Sequence, residues 1–331
     1  MKLLKWFAII LLLFIVVYFL GPRPSTPVYS TDLPSVPASA PALEEYIQKN
    51  ESRHKLKPDN EARIIWANDS AKQVTDYAVV YLHGFSASQE EGDPVHYEFA
   101  QKFGSNLYLS RLDAHGIDTT EPLDNFTAAG AWNSAKEAYA ISKQLGKKVI
   151  LMSTSTGGTL ALKLAAEYPE IAGLILLSPN IAINDPNAWL LNNHWGLEIA
   201  HLVKGKYNVA ADTTSTYAQY WNKKYRMEAT VQLEELLEST MKASTFKKVT
   251  QPVLLLYYYK DEEHQDPIVK VSAMKRMFTQ LGTPDSLKQQ AAIPNAGDHV
   301  LGSYVKSKDL GSVQTACEKF ATEILKLKEA Q

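Results

Sequence analysis

The sequence predicts an α/β fold. A mostly parallel sheet carries helices on both faces, a helical cap is inserted late in the sheet, and a membrane helix precedes the domain. Three observations predict it. From about residue 62 to residue 178, short apolar or β-branched segments alternate with longer helical ones. Several of the short segments are apolar at every position, as strands covered on both faces must be. From about residue 180 to 250 the alternation gives way to helical patterning, and a further apolar strand follows. At 331 residues the chain is long enough for one large α/β domain.

The N-terminus differs from everything after it. Lys2 and Lys5 precede an uncharged run from Trp6 to Leu20. Counted from Leu3 to Gly21, with Lys5 reaching back to the headgroups, the run spans roughly 28 Å at about 1.5 Å per residue. A hydrocarbon core is about 30 Å thick, so residues 1–21 read as a single-pass anchor. A cleaved signal peptide is the competing reading. It is disfavoured because the run ends in "YFLGPRP", with bulky residues and Pro22 where a cleavage site wants small ones, and because Pro41 directly follows the small residues of "ASAP". The lysines on the near side favour an N-terminus in the cytoplasm and a globular part outside, periplasmic in a bacterium, with Arg23 weakening the asymmetry. No cysteine follows the run, so lipid attachment there is unavailable.

Residues 22–41, "GPRPSTPVYSTDLPSVPASAP" from Gly21 onward, have no apolar period and read as a Pro/Ser-rich linker. That composition is read as an extended, semi-rigid spacer holding the domain off the membrane, with an arm lying along the domain surface as the alternative. The globular domain spans 42–331. "ALEEYIQKN" is helical in character, and "ARIIWAN" and "YAVVYLHG" are strands. "HYEFAQKFG" is a helix closed by Gly104, and "SNLYLSRLD" is the next strand. A helix from about Ala129 to Gly146 leads into the strand "KVILM". Then follow the helix "GTLALKLAAEYP", the strand "AGLILLSP", the cap at about 180–250 and the strand "PVLLLYYY". Ligands of open α/β sheets bind at the carboxyl edge, which this cap would cover.

Formal net charge is −2, with no long basic run, which argues against nucleic acid as the main partner. The single cysteine, Cys317, can form neither an internal disulfide nor a metal cluster and reads as a small buried residue on a helix. His194 and His201 lie seven apart in the cap but lack a third ligand, so they read as a solvated face. No metal and no organic cofactor are expected.

The chemistry is carried by "KKVILMSTSTGG", Lys147 to Gly158. A buried strand, a serine between small residues and then a helix form the pattern usually written G-x-S-x-G. Its sharp strand-to-helix bend exposes the serine hydroxyl. Strand and helix approach closely there, so the residues two before and two after the serine must be small. With Ser155 at the bend those positions are Ser153 and Gly157. With Ser153 at the bend they are Leu151 and Ser155, and Leu151 is too large. Ser155 is therefore the candidate, with Ser153 standing where the pattern has glycine. A serine needs a base to take its proton and a carboxylate to orient that base. Downstream, "PVLLLYYYKDEEHQDPIV" places acids just past a strand end, and "IPNAGDHVLG" places His299 after a strand and a flexible turn.

With "YLHGFSAS", these segments resemble the α/β-hydrolase superfamily, in particular its capped carboxylesterase, monoacylglycerol lipase and serine aminopeptidase-like branch. The resemblance runs over about residues 62 to 328. It implies Ser155 as nucleophile, His299 as general base and acid, and Asp266 of "DPIV" as the acid, with Asp261 of "YKDE" as the competitor. It also implies an oxyanion hole from the backbone N–H groups of Phe85, in the "HGF" turn, and Thr156. Asp298 then reads as a turn residue, His83 and His115 as shapers of turns, and Glu262 and Glu263 as solvated charges. His54, His96 and His264 have no partner that the sequence names. The implied activity is hydrolysis of carboxylic esters of acyl or lipid type by a membrane-tethered serine hydrolase. A peptidase of the same fold and a non-catalytic binding module are the alternatives. Cap aromatics such as Trp189, Trp195, Tyr217, Trp221 and Tyr225 serve either the core or an acyl pocket.

Overall fold

The computed structural model describes residues 2–212 and 214–330. Nine strands and eleven α-helices are described. β1 (Arg63–Ile65), β2 (Thr75–Leu82), β3 (Asn106–Leu109), β4 (Gly146–Thr154) and β5 (Gly173–Leu177) precede the cap. β6 (Tyr207–Val209) and β7 (Lys224–Arg226) lie within it, and β8 (Val253–Tyr257) and β9 (Lys288–Ala292) follow. The helices are α1 (Lys2–Leu20), α2 (Ala40–Glu51), α3 (Val95–Lys102), α4 (Ala128–Leu145), α5 (Thr156–Glu167), α6 (Gly196–Lys204), α7 (Ser215–Tyr220), α8 (Met227–Thr240), α9 (Ala243–Phe246), α10 (Val271–Gln280) and α11 (Leu310–Glu323).

Seven strands form the main sheet in the order β1-β3-β2-β4-β5-β8-β9, with only the edge strand β1 antiparallel. Parallel neighbours need crossovers, and the helices between them supply these. The two apolar layers explain the unbroken apolar strands. Ala78, Val80 and Leu82 of β2, with Val149 and Leu151 of β4, pack toward α4 and α5. Val79 and Tyr81, with Ile150 and Met152, pack toward α3 and α11. Alternate side chains thus point to opposite faces, and both faces are covered. Cys317 sits buried in the second layer on α11.

The cap occupies the connection from β5 to β8. It departs from the mostly helical expectation in two places. "NAWLLNNHWGLEIAHLV" is not one helix. A 3-10 turn at Ala188–Leu190 is followed by Trp195 in a left-handed conformation, φ 65°, and α6 begins only at Gly196. Gly196 lies so close to Leu190 that an added Cβ would sit 2.2 Å from its carbonyl oxygen. His194 therefore precedes the helix that carries His201. "TYAQYWNKKY" likewise breaks after α7, and Lys224–Arg226 pair antiparallel with Tyr207–Val209 as a small hairpin.

The segment between α1 and α2 lies along the domain rather than standing away from it. The Trp132 indole donates to Ser30 O, Lys136 Nζ to Asp32 O and Tyr168 Oη to Thr31 O. Lys163 Nζ sits over the rings of Tyr29 and Trp132, at 4.8 and 4.5 Å. At its start, the segment meets the cap. Trp195 donates its indole N–H to Val17 O and its backbone N–H to Pro22 O, and His194 Nδ1 donates to Gly21 O. The His194 ring lies against Tyr18 and Phe19. None of the 19 residues of α1 is buried.

Candidate active site

β4 ends on the bend that the sequence motif predicts. Ser155 has φ 54° and ψ −120°, a conformation rarely adopted by a residue with a Cβ, and α5 starts at the next residue. The close approach falls on the residues after it. A Cβ on Gly157 would sit 1.9 Å from Leu82 O, and one on Gly158 would sit 2.5 Å from Pro179 Cβ. The position two before the bend is less crowded. Ser153 is ordinary strand, paired with Leu176, and its hydroxyl makes a long 3.5 Å contact to Ile175 O. Serine fits there because the steric limit lies on the helix side.

The acid and the histidine come from loops beyond β8 and β9. Asp266 is buried, and its Oδ1 accepts the amides of Ile268 and Val269 at 2.9 and 3.0 Å. Its Oδ2 meets His299 Nδ1 at 2.6 Å. Asp261 is elsewhere, exposed, with its Oδ1 on His264 Nδ1 at 2.8 Å. Of the two candidate acids, only Asp266 contacts His299. Asp298 accepts the Val300 amide as a turn residue. His299 is 6% exposed, and its Nε2 has no hydrogen-bond partner among the described residues. Burial favours its neutral form, but Asp266, with Glu91 and Asp298 behind it, outweighs that and raises its pKa above the ordinary histidine value.

The "HGF" loop is fixed by two neutral histidines. His83 Nδ1 donates to Gly84 O and its Nε2 accepts the Leu112 amide. His115 Nδ1 donates to Asp113 O and its Nε2 accepts the Ser86 amide. Burial lowers both pKa values, His83 to about 4. Ala87 N–H donates to Gly84 O. Among the described residues, the amides of Phe85 and Thr156 donate no hydrogen bond, and Thr156 is at a helix N-terminus. Free amides at such a position favour negative charge.

Ser155, His299 and Phe85 line one cavity of about 700 Å³ beneath the cap, with Asn180, Tyr225 and Leu233 among the residues that close it. One acidic lining residue has no sequence signal. Glu91, in the 3-10 turn Gln89–Gly92, is 2% exposed and its Oε2 accepts the Gly84 amide. In "QEEG" it looks like any solvated loop acid. His96, without a sequence-named partner, is buried with Nε2 on Gln89 O. His201 lies 3.8 Å from Glu228 rather than on a solvated face. Among the described residues, no three His, Cys, Asp or Glu side chains converge to hold a metal ion.

The parallel sheet, its crossovers and the strand–bend–helix at Ser155 define the class as an α/β-hydrolase. The family follows from residues 75–296, which match the serine aminopeptidase S33 family, and the chain belongs to it. It is 32% identical over 108 residues to the thermostable monoacylglycerol lipase of Bacillus sp. (strain H-257), an alignment covering 33% of this chain and 42% of that protein. Two solved structures share the fold. A chain from the metagenome-derived lipolytic enzymes LipS and LipT has a TM-score of 0.65 at 16% identity, covering 80% of this chain and 98% of that one. The monoacylglycerol lipase of Paleococcus ferrophilus has a TM-score of 0.52 at 15% identity, covering 77% and 98%.

Proposed function

We propose that this chain is a membrane-tethered serine hydrolase that cleaves carboxylic esters of acyl or lipid type. The observation that carries the reading is the buried His299. One ring nitrogen is held by Asp266 at 2.6 Å, and the other is unpaired in the cavity that Ser155 lines. In the reaction, Ser155 Oγ attacks the ester carbonyl and His299 Nε2 takes its proton. Asp266 holds the Nδ1–H and stabilises the imidazolium. The oxyanion lies on the Phe85 and Thr156 amides. His299 then protonates the leaving alcohol, and the acyl group stays on Ser155. Water, deprotonated by the same nitrogen, releases the acid and restores the serine.

The substrate class rests on the cavity, which is closed mainly by apolar cap residues, and on its mouth, where Ile199, Val203 and Ile268 are exposed. The relatives named above include lipolytic enzymes and monoacylglycerol lipases. Tethering rests on α1, a 19-residue helix of mean hydropathy 2.7 with no buried residue. Its last turn is bound to His194 and Trp195 of the cap, which fits a retained anchor better than a removed signal. The flanking lysines favour a domain outside the cytoplasm.

The test is purified full-length protein against a fluorophosphonate probe, p-nitrophenyl esters of varied chain length, a monoacylglycerol and aminoacyl-nitroanilides. Wild type should label and prefer the esters, and Ser155→Ala should lose at least about 1,000-fold in kcat/KM. Preference for nitroanilides would transfer the assignment to a peptidase. An unlabelled wild type indistinguishable from Ser155→Ala would sink the enzyme reading.

A further inference from the structure

Glu91 is a buried carboxyl that the reaction above does not use, although it stands beside it. It lines the same cavity as Ser155 and His299. A Cβ placed on Gly84 would lie 2.7 and 2.9 Å from the two Glu91 oxygens and 3.0 Å from Ser155 Cβ. The carboxyl, the glycine and the serine therefore meet at one point. An anion there opposes a developing oxyanion, so its presence calls for a compensating role.

The groups facing it suggest that role. From the loop after β2 comes the Gly84 amide, and from the cap come the Trp221 indole and Tyr217. The loop after β9 contributes His299 and Asp298, and Tyr81 lies below on β2. Of these only His299 becomes a cation. Burial pushes the Glu91 acid up to about 7, while the Gly84 amide, His299 and the Trp221 indole favour its ionised form. The loop amides are equally telling. Gly84 donates to Glu91 and Ser86 to His115, which leaves the Phe85 amide uncommitted.

Building on the Ser155–His299–Asp266 reading, we propose that Glu91 is a positioning residue for the same reaction. Its carboxylate clamps the Gly84 amide so that the Phe85 amide faces Ser155, and its charge supports the imidazolium of His299. Glu91→Gln separates the two parts, because its amide oxygen still accepts the Gly84 bond but carries no charge. Glu91→Ala removes both.

Hydrolysis of p-nitrophenyl butyrate by the full-length chain, followed from pH 5 to 9, reads the outcome. Glu91→Gln should lower plateau kcat/KM about tenfold with little change in KM. It should also move the acid limb about one unit to lower pH, because His299 loses a charge that favours its protonated form. Glu91→Ala should fall about 100-fold or more. An unmoved limb in Glu91→Gln, or Ala no worse than Gln, would overturn the proposal. If thermal melts show that neither variant folds, Trp221→Phe serves instead. Losing the indole N–H keeps Glu91 protonated to higher pH, so the limb should again move down, and an unmoved limb would again overturn the proposal. Fluorophosphonate labelling separates the two layers. Wild type unlabelled at Ser155 fails both readings, whereas labelling with an unmoved limb fails only the role of Glu91.

Discussion

The sheet edge and the cap build opposite walls of one cavity from different material. At the sheet edge the groups that support the reacting ones are bonded, while His299 Nε2 is left open toward the cavity. Asp266 uses both oxygens, His83 and His115 use both ring nitrogens, and Ser155 is held at φ 54° by strand and helix backbone. Apart from the 14-residue α8, the cap is made of short elements. It leaves Leu202 87% exposed and buries a carboxyl, Glu234, with one oxygen unpaired. The contrast teaches a division of labour. Groups that must meet within tenths of an ångström stand on the sheet, and on the proposed reading the surface that would meet an acyl chain stands on the cap.

The largest expected effect lies at the sheet edge. Asp266→Asn should lower kcat/KM about 1,000- to 10,000-fold, because the amide disfavours the tautomer that leaves Nε2 free to accept a proton. Asp261→Asn should stay near wild type in the same ester assay. Equal losses would erase the distinction between the two acids. Next comes a pair of glycines. Gly157→Ala forces a Cβ to 1.9 Å from Leu82 O and should cost about 3 kcal/mol or more in urea unfolding. Gly205→Ala, in the cap at φ 84° and ψ −175° with nothing within 4 Å, should cost less, about 2 kcal/mol of backbone strain without a clash. A cap glycine as costly as the elbow glycine would show the cap to be as tightly built as the sheet.

The smaller test uses Glu234. Burial, with Glu238 adding to it, raises its pKa to about 7. The folded state therefore favours the neutral acid. That contribution is present below the unfolded value of about 4.5 and is lost as pH rises through 7. Glu234→Gln should consequently stabilise the chain by about 2 kcal/mol at pH 8 and by almost nothing at pH 4, measured by denaturant unfolding at both. A pH-independent difference would place the effect in packing rather than charge.

The same contrast governs what the sequence makes legible. Strands such as "VILM" and "VLLLY" are apolar on both faces, so their covered parallel sheet follows from composition alone. The elbow is legible because steric exclusion acts on neighbours in the chain, and the small residues it demands, Gly157 and Gly158, directly follow Ser155 and Thr156. Asp266 and His299 are visible as residue types after strands, but their 2.6 Å meeting belongs to the folded sheet. The cap is poorly legible. Apart from the 14-residue α8, its helices and hairpin strands run only 3 to 9 residues, too short for a period to declare itself, and the left-handed Trp195 has no local signature. Glu91 and the surface arm are hidden for another reason. A polar loop looks solvated until distant segments bury it, and Ser30, Thr31 and Asp32 accept from Trp132, Tyr168 and Lys136, more than a hundred residues away.

The arm also sets a mechanical condition. Its carbonyls at Gly21 and Pro22 are bonded to the cap, and Tyr29 to Asp32 are pinned to the body. With α1 in a bilayer, such a leash has no slack. On the proposed reading, cavity mouth and helix axis would turn together, and a lipid substrate would be supplied as a mole fraction in the adjoining leaflet rather than as a molarity in bulk.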